Sequence, residues 1–354
     1  MNCSQLFKNK RILITGAAGT VGRELTGQLM AFQPAELRLM DNNESEMFFL
    51  MEEHPGEDRG CYLGDVRDYD KLHKLAAGVD IIFHAAALKH VILSEYNPFD
   101  VVQTNIIGVE NVVRAAKAQG VGQVIFTSSD KAVNPTNVMG TSKLMGERLM
   151  TAANLLAHDG ECFFSSTRFG NVIGSRGSVV PLFLSQIRKG GPVTVTDRRM
   201  SRFVMSISEA ARLVLESAAR AKGGEVFITK MPVIKIIDLA EVMIELVAPK
   251  YGFDPAGIGI ELIGSKPGEK LFEELMSEEE VNRAVELEDM FVVTPAFRSI
   301  YSQIDYTYPT ASQPCGDSYV SSKEAPMTKD QLRQYLLDRE VLDTMDGSLP
   351  REMV

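Results

Sequence analysis

The segment that most restricts the possible folds is Gly16-Ala17-Ala18-Gly19-Thr20-Val21-Gly22. It follows the apolar run Arg11–Thr15 and opens the helical pattern Val21–Ala31. Glycines at this GxxGxxG spacing let a backbone turn tightly and come close to a pyrophosphate. The helix start behind them offers unpaired N–H groups and a favourable dipole. Such turns also arise for purely structural reasons, so the strand-then-helix setting carries the assignment. Asp41 follows the next apolar run, Leu37–Met40. A carboxylate there can hydrogen-bond the adenine ribose diol and repel a 2′-phosphate. No arginine follows at once, so NAD is expected over NADP, although Asp41 also suits a turn in Asp41-Asn42-Asn43. Asp65-Val66 come after a third run, Cys61–Leu63, where an adenine contact is expected; Asp65 serves equally well as a helix cap.

The alternation continues. Ile81–His84, Gln123–Ser128 and Phe163–Arg168 read as strands, with helices over Val101–Gln119 and Gly140–Leu156. Buried strands alternating with helices predict a Rossmann-type, doubly wound parallel sheet. The second half is mixed: helices near Pro181–Arg188, Ala210–Ala221 and Ile237–Val247, and strands at Val226–Thr229 and Ile258–Ile263. It predicts a smaller C-terminal α/β domain for the substrate. The expected division is 1–170 for the dinucleotide, 171–300 mainly for the substrate and interleaved with the first, and 301–354 as an arm ending in a short helix from Lys329 to about Asp338. The two long helices are candidates for pairing in a homo-oligomer, although packing on their own sheet accounts for one face of each.

Composition removes several classes. A net charge of -10 over 354 residues argues against a general nucleic-acid binder. It leaves room for an anionic small ligand, because Arg198, Arg199 and Arg202 lie close in sequence. Cys3, Cys61, Cys162 and Cys315 form no CxxC pair, so neither a metal site nor a disulfide framework is expected. The N-terminal residues lack the apolar core of a signal peptide, and no apolar run approaches the roughly 18 residues of a spanning helix. A cytoplasmic protein without a membrane segment is expected.

The chemistry-bearing segment is Ser128-Ser129-Asp130-Lys131, at the end of the fifth strand, with Lys143 further on. Open α/β sheets bind ligands at carboxyl strand ends. A hydroxyl, an acid and an amine in sequence can supply alcohol deprotonation, leaving-group protonation and carbanion formation. Taken alone, the triplet reads better as a solvated turn with an ion pair. Adjacent residues of a strand point to opposite faces, so both Asp130 and Lys131 enter one site only if the strand ends before them.

Four stretches together resemble the extended short-chain dehydrogenase/reductases: Gly16–Gly22, His84-Ala85-Ala86-Ala87-Leu88-Lys89-His90, Thr104-Asn105-Ile106-Ile107-Gly108 and Ser128 to Lys143. Within that superfamily, Ser129-Asp130-Lys131-Ala132-Val133-Asn134-Pro135-Thr136-Asn137-Val138-Met139-Gly140 is similar to the UDP-N-acetylglucosamine 4,6-dehydratases of bacterial glycan synthesis. Arg168–Val172 and Lys266–Lys270 extend the likeness, which spans roughly residues 8–295. The resemblance implies cofactor contacts from Gly16, Gly19, Thr20, Val21, Gly22, Asp41, Asp65, Val66, Ala85, Ala86, Lys89, Asn105 and Lys143. It implies diphosphate or uridine contacts from Asn171, Arg202 and Glu269. Arg176, in the same glycine-punctuated loop as Asn171, is a bidentate candidate for the diphosphate, and His90 a candidate for the sugar. Loop solvation and surface ion pairs are the competing readings for these substrate-side residues.

One position departs from the superfamily pattern. Where a tyrosine normally precedes the active-site lysine, this chain has Met139. A thioether carries no proton. Either the chain is a non-catalytic dinucleotide-binding sensor or scaffold, or Ser129 or Asp130 substitutes; one branch of the dehydratases has Met here, which favours the second. The implied reaction is a closed redox cycle. Hydride leaves C4, Lys131 removes the acidified C5 proton, Asp130 protonates the departing C6 hydroxyl, and hydride returns to C6. With Met139 in place of a second titratable group, retention at C5 is expected. A nucleotide-sugar 4-epimerase shares the first oxidation but needs no acid–base pair for water loss.

Overall fold

In the computed structural model, the described residues are 3–56, 58–156, 162–175, 178–264, 268–308, 313–339 and 341–342. The chain divides into two compact units. The first comprises Met1–Phe169, Ser208–Lys230 and Leu275–Ser318; the second comprises Gly170–Ile207, Met231–Glu274 and Tyr319–Val354.

The first unit is built on a sheet that has ten strands among the described residues. Its six leading strands are β1 (Arg11–Thr15), β2 (Glu36–Asp41), β3 (Arg59–Leu63), β4 (Ile81–His84), β5 (Gln123–Thr127) and β6 (Phe163–Arg168). They lie in the order β3-β2-β1-β4-β5-β6, all parallel, with the order reversing between β1 and β4. This is the doubly wound topology expected of the alternating pattern, and its reversal point is where such sheets open a ligand crevice. Val226–Thr229 adds in parallel beside β6, and Met290–Val293, Ala284–Glu286 and Gln313–Pro314 continue antiparallel. The strands are apolar along their length because helices cover both faces. Leu13, Ile82, Val124, Phe126 and Phe164 form one such core with Val109, Val112, Ala115 and Met150 from the helices.

Most element boundaries follow the sequence pattern: β1, β4, β6, Val226–Thr229 and the helix Lys329–Asp338 span the expected residues. Two elements differ in a way that matters. The helix expected over Val101–Gln119 is α-helical only at Pro98–Val101 and Gly108–Gln119; between them, Val102–Ile107 is a π-helical turn. Its wider winding carries Asn105 to the loop after β4, a long-range contact that periodicity cannot reveal. The helix expected from Gly140 begins at Val138, because the Asn137 side chain accepts a hydrogen bond from Gly140 N at 2.8 Å.

The second unit has its own core. Ser201–Met205 pairs antiparallel with Val233–Lys235 and parallel with Asn171–Val172. Val193–Val195 pairs with Ile260–Leu262. The helices Val179–Arg188, Ile236–Val247 and Lys329–Asp338 bring Phe183, Leu184, Leu239, Met243, Leu332 and Leu336 into one buried cluster. No helix among the described residues is long and apolar enough to cross a membrane.

Candidate active site

The glycine turn closes on itself. Gly16 has φ +73°, and a Cβ built there would lie 2.5 Å from Ala86 N. A Cβ on Gly22 would lie 2.1 Å from Gly16 O. Each position therefore requires the absence of a side chain. A Cβ on Gly19 would meet only Gly16 O, at 3.2 Å, so the other side of the turn is open. Gly19 is the N-cap of the helix Thr20–Met30, and no side chain caps its first turn. Backbone donors left unpaired behind an open glycine turn fit a dinucleotide pyrophosphate.

Asp41 ends β2 beside this turn. Its Oδ2 accepts from Ala18 N at 3.1 Å and its Oδ1 from Asn43 N at 3.0 Å. These bonds orient the carboxylate and leave lone pairs for a diol. Asp65 accepts from the backbone and guanidinium of Arg67 and from Asn42, which hold its carboxyl below the usual range. Val66 is buried, and its carbonyl accepts from Asn111. Ala85 and Ala86 lie against Gly16. Lys89 and His90 are exposed on the following loop, where His90 is the N-cap of Val91–Tyr96. Asn105, buried in the π-helical turn, braces that loop: Oδ1 accepts from Leu88 N at 2.8 Å, and Nδ2 donates to Leu88 O at 2.9 Å. The same Nδ2 reaches Ser142 Oγ at 2.9 Å.

β5 ends at Thr127, and Asp130–Ala132 forms a 3₁₀ turn whose N-cap is Ser129. The strand thus stops before the acid and the amine, as their joint use requires. Asp130 is completely buried, and Lys131 Nζ lies 3.1 Å from its Oδ1 with the lysine side chain 25% exposed. Ser129 Oγ donates to the same Oδ1 at 2.6 Å. Asp130 N donates to Phe169 O at 3.0 Å, which pins the turn to the end of β6. Hydroxyl, carboxyl and amine therefore form one connected group. Met139 is buried one helical turn before Lys143. Lys143 is buried; Nζ donates to Thr127 O at 2.9 Å and lies 4.7 Å from the centre of the Phe126 ring. Burial pushes its ammonium down to about 8, against the pull of Glu147. His84, at the end of β4, is buried, with Nδ1 2.6 Å from Thr15 Oγ1. Burial, aided by the Lys143 charge, pushes this imidazole down to about 3, so it is neutral.

Ser128 and Arg168 also belong to a buried cluster with Glu147 and Glu280, the last of which composition and motifs did not single out. Ser128 Oγ donates to Glu147 Oε1 at 2.5 Å. Arg168, the last residue of β6, donates to both oxygens of Glu147 and both oxygens of Glu280 at 2.6–3.0 Å, and to Leu275 O at 2.8 Å. The hints were an arginine ending an otherwise uncharged strand and a glutamate one turn after Lys143.

In the second unit, Asn171 Nδ2 donates to Phe203 O at 3.2 Å. Arg202 is buried; it donates to Lys270 O and Leu271 O and lies 3.6 Å from Glu269 and 3.3 Å from Glu273. Exposed Arg199 pairs with Asp197 at 2.8 Å. Of the three arginines, Arg199 is thus paired with a carboxylate two residues away, and Arg202, on the strand Ser201–Met205, with carboxylates of the segment after Gly268. Arg176 lies outside the described residues. No group of His, Cys, Asp or Glu suited to a metal ion occurs among the described residues.

The parallel sheet, the glycine turn and the Ser129-Asp130-Lys131 end of β5 define a Rossmann-type protein of the extended short-chain dehydrogenase/reductase class. Residues 12–295 match the model of the family described as "Polysaccharide biosynthesis protein", and the chain belongs to that family. It is 53% identical over 292 residues to a Methanocaldococcus jannaschii protein named "Uncharacterized membrane protein MJ1061", covering 82% of this chain and 88% of that one. It is 34% identical over 344 residues to the "UDP-N-acetylglucosamine 4,6-dehydratase (inverting)" of Campylobacter jejuni, covering 96% of this chain and 98% of that one. Among solved structures, Pen from Bacillus thuringiensis is similar at 43% identity and TM-score 0.85, covering 94% of this chain and 98% of that one. Other relatives are named differently: a Rickettsia massiliae "UDP-glucose 4-epimerase" is 36% identical over 81% of this chain and 83% of its own length. The "Probable polysaccharide biosynthesis protein EpsC" of Bacillus subtilis is 42% identical over 79% of this chain, and the match spans 47% of its length.

Proposed function

We propose that this protein is a nucleotide-sugar 4,6-dehydratase that uses NAD and removes water from a UDP-sugar, UDP-N-acetylglucosamine being the first candidate, with retention at C5. The observation that carries this reading is the buried Asp130 in contact with Lys131 Nζ at 3.1 Å. A pair at that distance shares one proton between two forms: carboxylate with ammonium, or carboxylic acid with amine. The second form is the acid and the base that elimination across C5 and C6 needs.

The cofactor would lie on the open glycine turn with its adenine ribose at Asp41 and its nicotinamide ribose at Lys143. When bound, it supplies the hydride exchange that oxidises C4 and later reduces C6. The residues handle the protons. The pair begins as carboxylate with amine; Ser129 takes the C4 hydroxyl proton and hands it to Asp130, to which it is hydrogen-bonded, and this is the one proton that the acid–amine form holds. Asp130 gives a proton to the C6 hydroxyl, which leaves as water. Lys131 takes the C5 proton and returns it to the same carbon. The C4 ketone remains, and the group ends with the protons it began with. Met139 offers no second donor for the opposite face of C5.

The relatives named as 4-epimerases support a second reading, in which the same first oxidation is followed by rebound of hydride to C4. A homo-oligomer is compatible with either reading, with the exposed Tyr96 and Phe99 as candidate interface residues. Incubation with UDP-N-acetylglucosamine and NAD separates the reactions, since dehydration lowers the nucleotide-sugar mass by one water and epimerisation leaves it unchanged.

A further inference from the structure

The family match ends at residue 295, and from Tyr319 onward the chain belongs to the second unit. There it is bonded into the strands that carry the substrate-side candidates. Tyr319 packs its ring on Phe203, with centroids 4.5 Å apart; its hydroxyl accepts from Met231 N at 2.8 Å and donates to Met231 O at 2.9 Å. Ser321 is buried. Its Oγ lies 2.8 Å from Ser201 Oγ, donates to Ser201 O at 3.4 Å and accepts from Glu273 N at 2.9 Å. Its N donates to Glu273 O at 2.9 Å, and further on Met327 N donates to Val233 O at 2.8 Å.

Ser201 and Glu273 flank two of those candidates, Arg202 and Glu269. Ser201 N donates to Leu271 O at 3.2 Å. Arg202 donates to Leu271 O at 3.1 Å and to Lys270 O at 2.8 Å, and lies 3.6 Å from Glu269 and 3.3 Å from Glu273. The strand Ser201–Met205 and the segment 269–273 are thus tied together, and Ser321 is bonded to both, at Ser201 and at Glu273. Residues 269–273 lie in no helix or strand, so these bonds, rather than a regular ladder, fix their path. We propose that Ser321 is a positioning residue of the nucleotide-sugar site, which fixes Arg202 and Glu269 relative to each other before a nucleoside diphosphate binds. This rests on the reading that Arg202 and Glu269 contact that ligand. A segment ordered in advance spares the ligand the entropic cost of ordering it. The effect falls on binding, because the Ser129-Asp130-Lys131 group and the glycine turn belong to the first unit.

The test uses the full-length protein loaded with NAD. The Kd of UDP is measured by titration calorimetry, alongside KM and kcat for UDP-N-acetylglucosamine and the affinity for NADH. In Ser321→Ala the Kd of UDP and the KM are expected to rise together by about three- to tenfold, the usual worth of a buried hydrogen bond, with kcat and NADH affinity unchanged. A folded Ser321→Ala protein with the wild-type Kd of UDP overturns the proposal. So does a loss shared equally by UDP affinity, kcat and NADH affinity, which is what a general loosening of the fold would give. If Ser321→Ala does not fold, Ser201→Ala removes the partner hydroxyl, leaves the bonds to Glu273 in place, and must raise Kd and KM in the same pattern. UDP carries no sugar, so its binding requires no chemistry. A wild type that binds UDP without removing water from the sugar nucleotide contradicts the dehydratase reading alone. A wild type with no affinity for UDP removes the substrate-side reading and this proposal with it.

Discussion

Ser129 Oγ and Lys131 Nζ both contact one oxygen, Oδ1 of the buried Asp130, at 2.6 and 3.1 Å. A proton entering through the hydroxyl can therefore reach the carboxyl that the amine also touches, with no intervening solvent. That connection sets the expected behaviour of each member.

Lys131→Ala is expected to stop water elimination while sugar-nucleotide binding persists. Hydride leaves C4 before Lys131 is needed, so reduced cofactor should accumulate on the enzyme, visible as absorbance at about 340 nm. Asp130→Asn should slow elimination by about 10²–10⁴-fold, the usual worth of a positioned acid, because an amide is a poor proton donor. A Lys131→Ala protein that dehydrates at the wild-type rate would remove this residue from the chemistry.

NAD selectivity should reside in Asp41. Asp41→Ala loses a ribose partner and the charge that repels a 2′-phosphate. NAD affinity is expected to fall and the preference over NADP to narrow, both by direct titration. A wild-type protein that prefers NADP kinetically would reverse the assignment.

Gly22→Ala tests whether the closed turn is required. The added methyl would sit 2.1 Å from Gly16 O, a backbone atom that cannot swing away. The variant is expected to lose about 1–3 kcal/mol of stability and most of its dinucleotide affinity. A thermal melt together with a titration checks both, and an unchanged pair of values would mean that the turn relaxes freely.

Stability in acid should depend on Glu280. Burial alone would raise its carboxyl, but the charge and hydrogen bonds of Arg168 outweigh burial and bring it down to about 2. A depressed carboxyl contributes stability that is fully present above its unfolded value, about 4.3, and is lost as pH falls toward 2. Urea unfolding at stepped pH should therefore show a shallower loss in Glu280→Gln than in the wild type over that window. Parallel slopes would show that Glu280 titrates normally.

Much of this was legible before the structure, for physical reasons. Gly16–Gly22 and the ends of β1, β4 and β6 are local signals, carried by sterics and by runs of apolar residues. The placement of Asp130 and Lys131 on a turn follows from the end of a strand. The Glu147–Arg168–Glu280 set was not legible, because it joins a helix, a strand and a capping box far apart in the chain. Nothing local marks Glu280 as the partner of Arg168. The π-helical turn was hidden similarly: Val102–Ile107 has ordinary helical composition, and only the tertiary contacts of Asn105 with Leu88 and Ser142 mark its wider winding. The first unit also regains the chain at Ser208 and again at Leu275, a return that no change in composition announces.

Retention at C5 is the expected outcome of the proposed reaction, in which Lys131 carries the proton on one face and Met139 is buried where a second titratable group would stand. Proton NMR at early times, against D-xylo and L-arabino 4-keto standards, should show the D-xylo sugar. Direct appearance of the L-arabino sugar would require a donor on the other face, for which His90 is a candidate.

The most direct measurement is mass spectrometry of UDP-N-acetylglucosamine after incubation with the full-length protein and NAD. Dehydration by the Ser129-Asp130-Lys131 group predicts a product lighter by one water, its formation abolished in Lys131→Ala. A product of unchanged mass but altered C4 configuration, or an unaltered sugar with NAD bound, would contradict it.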